Sequence, residues 1–303
     1  MASLRDIRKH ISSVKNIKQI TYAMKMVAAA RIKRAQNAIL ASRPFAVEMK
    51  QLIADLYCEL ESEDFKASPV YNLFAARRQA RSAALVLITS DKGLAGSFNT
   101  NLLKSALAWL KENSGKKIYA VCVGKKSRDF LKRLKGLDIE IAHEMVGIFP
   151  KVGYVHANLL AENIAGLYSN PDVESVTLVY NEFKSLLAQR IVSVGLLPLE
   201  RHILVGAGAG DWGKREFRDF DFEPDKIKLL EALLPRYLDA QLYRVLLESQ
   251  AAELAARMNA MESASKNAAE IIESLTLKLN KMRQTMITTE LNEIVSGAEA
   301  LGG

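Results

Sequence analysis

The chain has 303 residues, 49% hydrophobic and 25% charged, a balance that excludes collagen-like, mucin-like and wholly disordered classes. No window approaches eighteen uninterrupted apolar residues, and the opening Met1-Ala2-Ser3-Leu4-Arg5-Asp6 leads into a charged periodic segment, so neither a membrane span nor a secretory signal is expected. The two cysteines, Cys58 and Cys122, fit neither a disulfide framework nor a thiolate zinc site, which points to a reducing compartment. The net charge is +8, and residues 1–43 hold ten basic side chains against one acid, so the whole excess sits at the N-terminus. An anionic partner is expected there: nucleic acid, an anionic membrane surface, or acidic loops of another protein.

The first segment lacks both proline and glycine up to Pro44. Its apolar residues Ile7, Ile11, Val14, Ile17, Ile20, Met24 and Val27 recur at steps of three and four, which predicts one helical face. Pro44 could kink that helix, but the spacing resumes from Phe45, and one helix from about Ser3 to Leu60 is expected.

The middle of the chain reads differently. Residues 83–88, 118–123, 176–180 and 191–194 are short apolar runs with strand character. Helical stretches at 101–112, 126–134 and 155–168 separate them, and this alternation predicts an α/β domain with a mostly parallel sheet. After Pro224 a long helix is expected to run to Ser296-Gly297, where the glycine would stop it. Along it, Leu247, Ala251, Leu254, Met258, Met261, Ser265, Ala268, Ile272, Leu275, Leu279, Met282 and Met286 alternate steps of four and three, a heptad seam. Such a seam requires a partner, and the N-terminal helix, lying antiparallel, supplies one. The expected division is 1–64, first helix; 65–224, Rossmann-like α/β domain; 225–303, second helix.

Three constellations are candidates for chemistry. The loop Thr89–Asn99 follows a strand and opens a helix, where α/β folds place phosphate loops, but it lacks both the Gly-Lys-Ser/Thr and the three-glycine spacing. A structural turn or protein contact is the reading that fits it better. The glycine run 206–210 leads into Asp211-Trp212-Gly213 rather than an apolar-faced helix, so a flexible connection is expected there. His10, His143, His156 and His202 are scattered, and no nucleophile setting is recognisable. No catalytic residue, cofactor site or metal site is expected. The basic helix remains, read either as a solvated face or as a binding surface; near-absence of acids across 43 residues favours binding, because a solvated helix mixes signs three and four residues apart.

Residues 18–30 (KQITYAMKMVAAA), the loop 90–99, residues 255–261 (AARMNAM) and residues 283–298 (RQTMITTE…EIVSGA) resemble, in order, four signatures of the γ subunit of rotary ATP synthases. The likeness spans essentially the whole chain. It departs at Ala95-Gly96-Ser97, where relatives usually carry Cys-Gly-Gly, and at Leu279, usually Tyr; the extra cysteine-bearing segment of light-regulated plastid relatives is absent.

The resemblance implies a shaft of two antiparallel helices beside a Rossmann-like domain, turning inside a hexamer of α and β subunits and standing with the ε subunit on the membrane ring of c subunits. Nucleotide chemistry would belong to the β subunits. Membrane association would come only through the c-ring, on the cytoplasmic side of a bacterial membrane. Lys9, Lys18, Lys25, Arg31, Lys33 and Arg34 are expected to meet acidic surfaces such as lever loops of the β subunits, and Met24, also expected at the β-subunit contact, would lie opposite the C-terminal contact region. Arg257, Arg283, Gln284, Thr288 and Glu290 are expected to make polar contacts to a loop of one β subunit, and residues 287–301 to turn in an apolar collar. The motif loop is carried by Asp91, Lys92, Gly93, Gly96 and Asn99.

Two rivals remain open at this point. A nucleic-acid-binding protein would use the basic helix on phosphates, with affinity falling steeply with salt. A nucleotide-dependent enzyme would use the 90–99 loop and bind ATP by itself.

Overall fold

The computed structural model describes residues 3–59, 65–66, 68–75, 77, 80–149, 151–199 and 225–301. The chain divides into two compact units, one of Met1–Ala30 with Arg257–Gly303 and the other of Arg31–Ala256. The elements in chain order are α1 (Leu4–Glu59), a 3₁₀ turn (Pro69–Leu73), β1 (Ser82–Ile88), α2 (Phe98–Glu112), β2 (Lys117–Val123), α3 (Lys125–Leu131), β3 (Ile139–Met145), α4 (Tyr154–Tyr168), β4 (Val173–Phe183), β5 (Gln189–Leu197) and α5 (Lys226–Leu301).

Within Arg31–Ala256 the sheet order is β3-β2-β1-β4-β5, parallel except for the antiparallel β4–β5 pair. β1 occupies the centre and is buried at all seven positions, as expected of a parallel strand covered on both faces. One face packs on α2 through Leu85, Leu87, Phe98, Leu102, Ala106 and Leu110. The other packs on α4 and on the flanking parts of the two long helices, through Val86, Ile88, Leu160, Ile164, Ile53, Leu56, Leu234 and Leu242. In this unit Ala35 and Ile39 cluster with Leu247 and Ala251, while Ile53 and Leu56 share a core with Leu230 and Leu234. The two helices therefore run antiparallel here.

β3 was not expected from the sequence. Its residues Ile139-Glu140-Ile141-Ala142-His143-Glu144-Met145 mix apolar side chains with Glu140, His143 and Glu144, as an edge strand does. Glu140 pairs with Lys117 at 2.7 Å and Glu144 with Lys132 at 2.6 Å.

α1 continues through Pro44 without a break. Its buried positions are Ile7, Ile11, Val14, Thr21, Ala28, Ile32, Ala35, Ile39, Ala46, Met49, Ile53 and Leu56, which keep one heptad register, and Ala54 beside them. This corrects the face read from sequence, since Ile17, Ile20 and Val27 are about half exposed. Consecutive steps of three each turn about 60° backward around a helix of 3.6 residues per turn, so the run 11-14-17-20 walks off the face it starts on. A second correction concerns Gly297, which lies inside α5 rather than ending it. Glycine costs a helix about 1 kcal/mol relative to alanine, a penalty and not a stop. The glycine run 206–210 and its strand-like neighbours lie outside the described residues.

Candidate functional site

In the unit of Met1–Ala30 with Arg257–Gly303, α1 begins with a capping box. The Asp6 backbone N–H donates to Ser3 Oγ at 3.2 Å, and Asp6 Oδ2 accepts from the Ser3 N–H at 3.0 Å and hydroxyl at 2.9 Å. Those bonds hold the Asp6 carboxyl below its ordinary value of 3.8. The α1 seam here is Ile7, Ile11, Val14, Thr21 and Ala28; on α5, Met261 and Ala268 are buried and Ile272, Leu275, Leu279 and Met282 half-buried. Lys25 Nζ donates to Glu262 Oε1 at 2.6 Å. This contact lies near the start of the α5 segment, whereas burial at the other end reaches Ile7 and Met282, so the helices pair antiparallel. Burying each branched apolar residue of such a seam contributes roughly 1.5–3 kcal/mol; the partly exposed ion pair adds at most about 1 kcal/mol and serves mainly to fix register.

Two apolar surfaces are left uncovered in this unit. The first is a stripe on α1 formed by Ile17, Ile20, half-buried Met24 and Val27, each one residue ahead of seam positions 18, 21, 25 and 28 and hence about 100° around the helix. Tyr22 and Met26 are exposed near it. The second is the end of α5. From Arg283 to Ala298 every residue is exposed, and the apolar ones are Met286, Ile287, Leu291, Ile294 and Val295. The hydroxyls of Thr285, Thr288 and Thr289 each donate to the carbonyl four residues back, at 3.0, 2.9 and 2.9 Å. Their donors are satisfied within the helix, so an apolar surrounding would not strand them.

The residues expected at a partner surface fall as follows. Lys9, Lys18, Arg31, Lys33 and Arg34 are exposed on α1, and Lys25 is half-buried in its ion pair. Arg257 is half-buried; Arg283, Gln284, Thr288 and Glu290 are exposed on the last turns of α5. Sequence reasoning missed Glu262 as the mate of Lys25. It also assigned the Ile17–Val27 stripe to the seam; the heptad register, extended back from Ala28 and Ile32, would have separated the two.

The motif loop is closed by its own side chains. Asp91 Oδ1 accepts from the backbone N–H groups of Lys125 and Gly147, both at 3.0 Å, and Oδ2 from Phe149 at 3.2 Å. Those amides follow β2 and β3 at the carboxyl ends of the parallel strands, where α/β folds bind anionic ligands. In this chain a built-in carboxylate takes that place. Asn99 Oδ1 accepts from Ser90 N–H at 3.1 Å, tying the loop's start to α2, and Ser90 Oγ donates to the Lys92 carbonyl at 2.6 Å. Leu94 and Gly96 both have positive φ, 63° and 56°, which produces the double turn between them. Lys92 and Gly93 are exposed. Behind the loop, Ser127 N–H donates to Thr89 Oγ1 at 2.8 Å. Gly124 has φ 94°, and a Cβ there would lie 2.3 Å from the Thr89 carbonyl oxygen. Both features were invisible as motifs, because their partners lie more than thirty residues apart.

Cys122 is buried, and desolvation pushes its thiol up to about 12. Among the described residues no group of three or more His, Cys, Asp or Glu is placed to hold a metal ion, and no helix is long and apolar enough to cross a membrane.

A family model described as ATP synthase matches residues 3–301. The ATP synthase gamma chain of Elusimicrobium minutum (strain Pei191) is 48% identical over 304 residues, covering 99% of each chain. That of Anaeromyxobacter sp. (strain Fw109-5) is 44% identical over 303 residues, covering 99% of this chain and all of the relative. Among solved structures, a chain of the Tetrahymena thermophila mitochondrial ATP synthase central stalk and c-ring superposes with a TM-score of 0.59 at 29% identity, over 81% of this chain and 99% of that one. A chain of the Euglena gracilis mitochondrial ATP synthase shares the fold, with a TM-score of 0.68 at 20% identity over 98% and 94%.

Proposed function

The chain belongs to the γ-chain family of ATP synthases, and from that premise we infer that it is the rotor shaft of an F-type complex. It couples rotation of the membrane c-ring to the conformational cycle of the catalytic β subunits, in contact with α, β and ε subunits and the c-ring. The observation that carries this reading is the end of α5, exposed from Arg283 to Ala298 yet studded with Met286, Ile287, Leu291, Ile294 and Val295. A surface of that kind requires a covering partner. An apolar sleeve also lets a helix turn, because it offers no directional bonds to break.

Coupling follows from asymmetry. A helical pair inside a threefold ring presents a different face to each catalytic subunit. A partner shifts a conformational equilibrium only by its differential affinity for the two states, and moving a subunit from 1:99 to 99:1 takes about 5.5 kcal/mol. The α1 stripe at Ile17–Val27 and the exposed cations Lys9, Lys18, Arg31, Lys33 and Arg34 provide apolar and charged contacts from which that difference can be drawn. Exposed charge pairs are individually weak and act together, biasing and steering rather than locking.

We propose further that the chain performs no chemistry itself. The Asp91 carboxylate already holds the three amides that an anionic substrate would need at the strand ends, which supports a structural role for the loop. It is a peripheral subunit of a membrane-bound complex, and we place it on the cytoplasmic face. The division 1–64, 65–224 and 225–303 is proposed as the functional one: two shaft helices and the domain between them. Co-purification tests the reading. A tagged chain should bring down three α and three β subunits per copy from its own host; recovery without them, together with salt-sensitive nucleic acid, would replace the shaft by the nucleic-acid reading.

A further inference from the structure

A cavity of about 500 Å³ lies within the Arg31–Ala256 unit, between the strand β4 with the edge strand β5 and the helices α1 and α5. α1 contributes Lys50, β4 contributes Ser175, Leu178 and Tyr180, and α5 contributes Tyr237, Gln241, Arg244 and Val245; β5 and the residues after it supply the remaining wall, mostly apolar. The α5 residues recur at steps of four, three and one, which puts them on one helical face. No carboxylate lines the cavity.

Two cations, Lys50 and Arg244, line this space. Burial and then the charge of Arg244 lower the proton affinity of Lys50, and no hydrogen bond or ion pair raises it. The Arg244 Nε is buried without a hydrogen-bond partner and makes a long ion pair with Glu248 Oε1 at 3.9 Å. Burial holds the Tyr180 and Tyr237 phenols up at about 12, so both remain neutral hydroxyl groups at any physiological pH. Both cations are only partly buried, the Arg244 side chain being 41% exposed, but its shielded Nε lacks a hydrogen-bond partner, and a bound anion would supply one while offsetting the charge of both side chains. The size and the mixture of an apolar wall with a few convergent polar groups match small-molecule sites.

We propose that this cavity binds a small organic phosphate, its phosphate between Lys50 and Arg244 and its less polar body against Tyr180, Tyr237 and the β5 wall. The site uses none of the partner-contact residues named above and does not depend on the rotor reading.

Isothermal titration of the full chain with inorganic phosphate and with ADP is the test. Both probes should bind at one site, ADP about tenfold or more tighter, and Lys50→Gln and Arg244→Gln should each weaken ADP by about tenfold or more. Equal affinity for the two probes would overturn the organic part of the proposal; no binding, or binding indifferent to both substitutions, would overturn all of it. Amine labelling of Lys50 in the unsubstituted chain, read by mass spectrometry, covers the case in which a variant fails to fold. ADP should slow that labelling selectively over exposed Lys92, and an unchanged Lys50 rate would count against the site.

Discussion

β1 and the last turns of α5 carry comparable loads of branched apolar side chains and treat them in opposite ways. In β1, Leu85, Val86, Leu87 and Ile88 are completely buried, whereas Ile287, Leu291 and Ile294 on α5 are exposed by about half or more. The first region completes its burial inside the chain. The second is left with a free-energy gain to be made only with another molecule. The strand is an element of a self-sufficient domain, and the helix end is half of an interface.

Paired substitutions sharpen this contrast. Leu85→Ala should cost about 3 kcal/mol of unfolding free energy in urea titration, the expectation for truncating a fully buried leucine. Leu291→Ala should stay within about 0.5 kcal/mol in the same assay while weakening binding to the α–β hexamer. A large stability loss at Leu291 would mean that the helix end is already covered within the chain.

The next effect separates the α1 seam from the stripe beside it. Ile11→Ala should destabilise by about 2 kcal/mol, since it removes a buried seam residue. Ile20→Ala should leave stability unchanged within about 0.5 kcal/mol and appear instead in ATP-driven proton pumping by the assembled complex. Equal stability losses at the two positions would restore the face first read from the apolar spacing.

Asp91→Ala should cost about 1.5 kcal/mol, because three amides lose a charged acceptor but retain partial access to water. Asp91→Asn should fall between, since one carbonyl oxygen can still accept. If the loop were a nucleotide site, the same changes would alter ATP affinity without altering unfolding.

The smallest effect is a pH dependence at the start of α1. The Asp6 carboxyl is lowered on folding, so its contribution is fully present above its ordinary value and is lost as pH falls through the depressed one. Amide exchange of the first turn should quicken over that acid range, and Ser3→Ala should abolish the dependence.

How much of this was legible in the sequence depends on how local the cause is. The strands β1, β2, β4 and β5 announced themselves as apolar runs, and the α5 seam as a sustained alternation of fours and threes, which the structure keeps buried or half-buried as far as Met282 and leaves exposed at Met286. β3 did not, because an edge strand mixes Glu140, His143 and Glu144 with its apolar positions. The 90–99 loop could be recognised as something other than a phosphate loop from its missing Gly-Lys-Ser, but its actual use required Lys125, Gly147 and Phe149 to be brought to Asp91 by the sheet. Among the partner-surface residues, exposure of the cations was foreseeable. The pairing of Lys25 with Glu262 was not, since it depends on the relative register of two helices more than two hundred residues apart.

The central claim is that this chain turns as a shaft inside a fixed ring. It is tested most directly by anchoring the α–β hexamer to a surface, attaching a bead to the α/β unit of this chain, and following the bead under ATP. The account predicts rotation in one sense with three dwell positions per turn. A bead that stays still while the complex hydrolyses ATP at its full rate would contradict it.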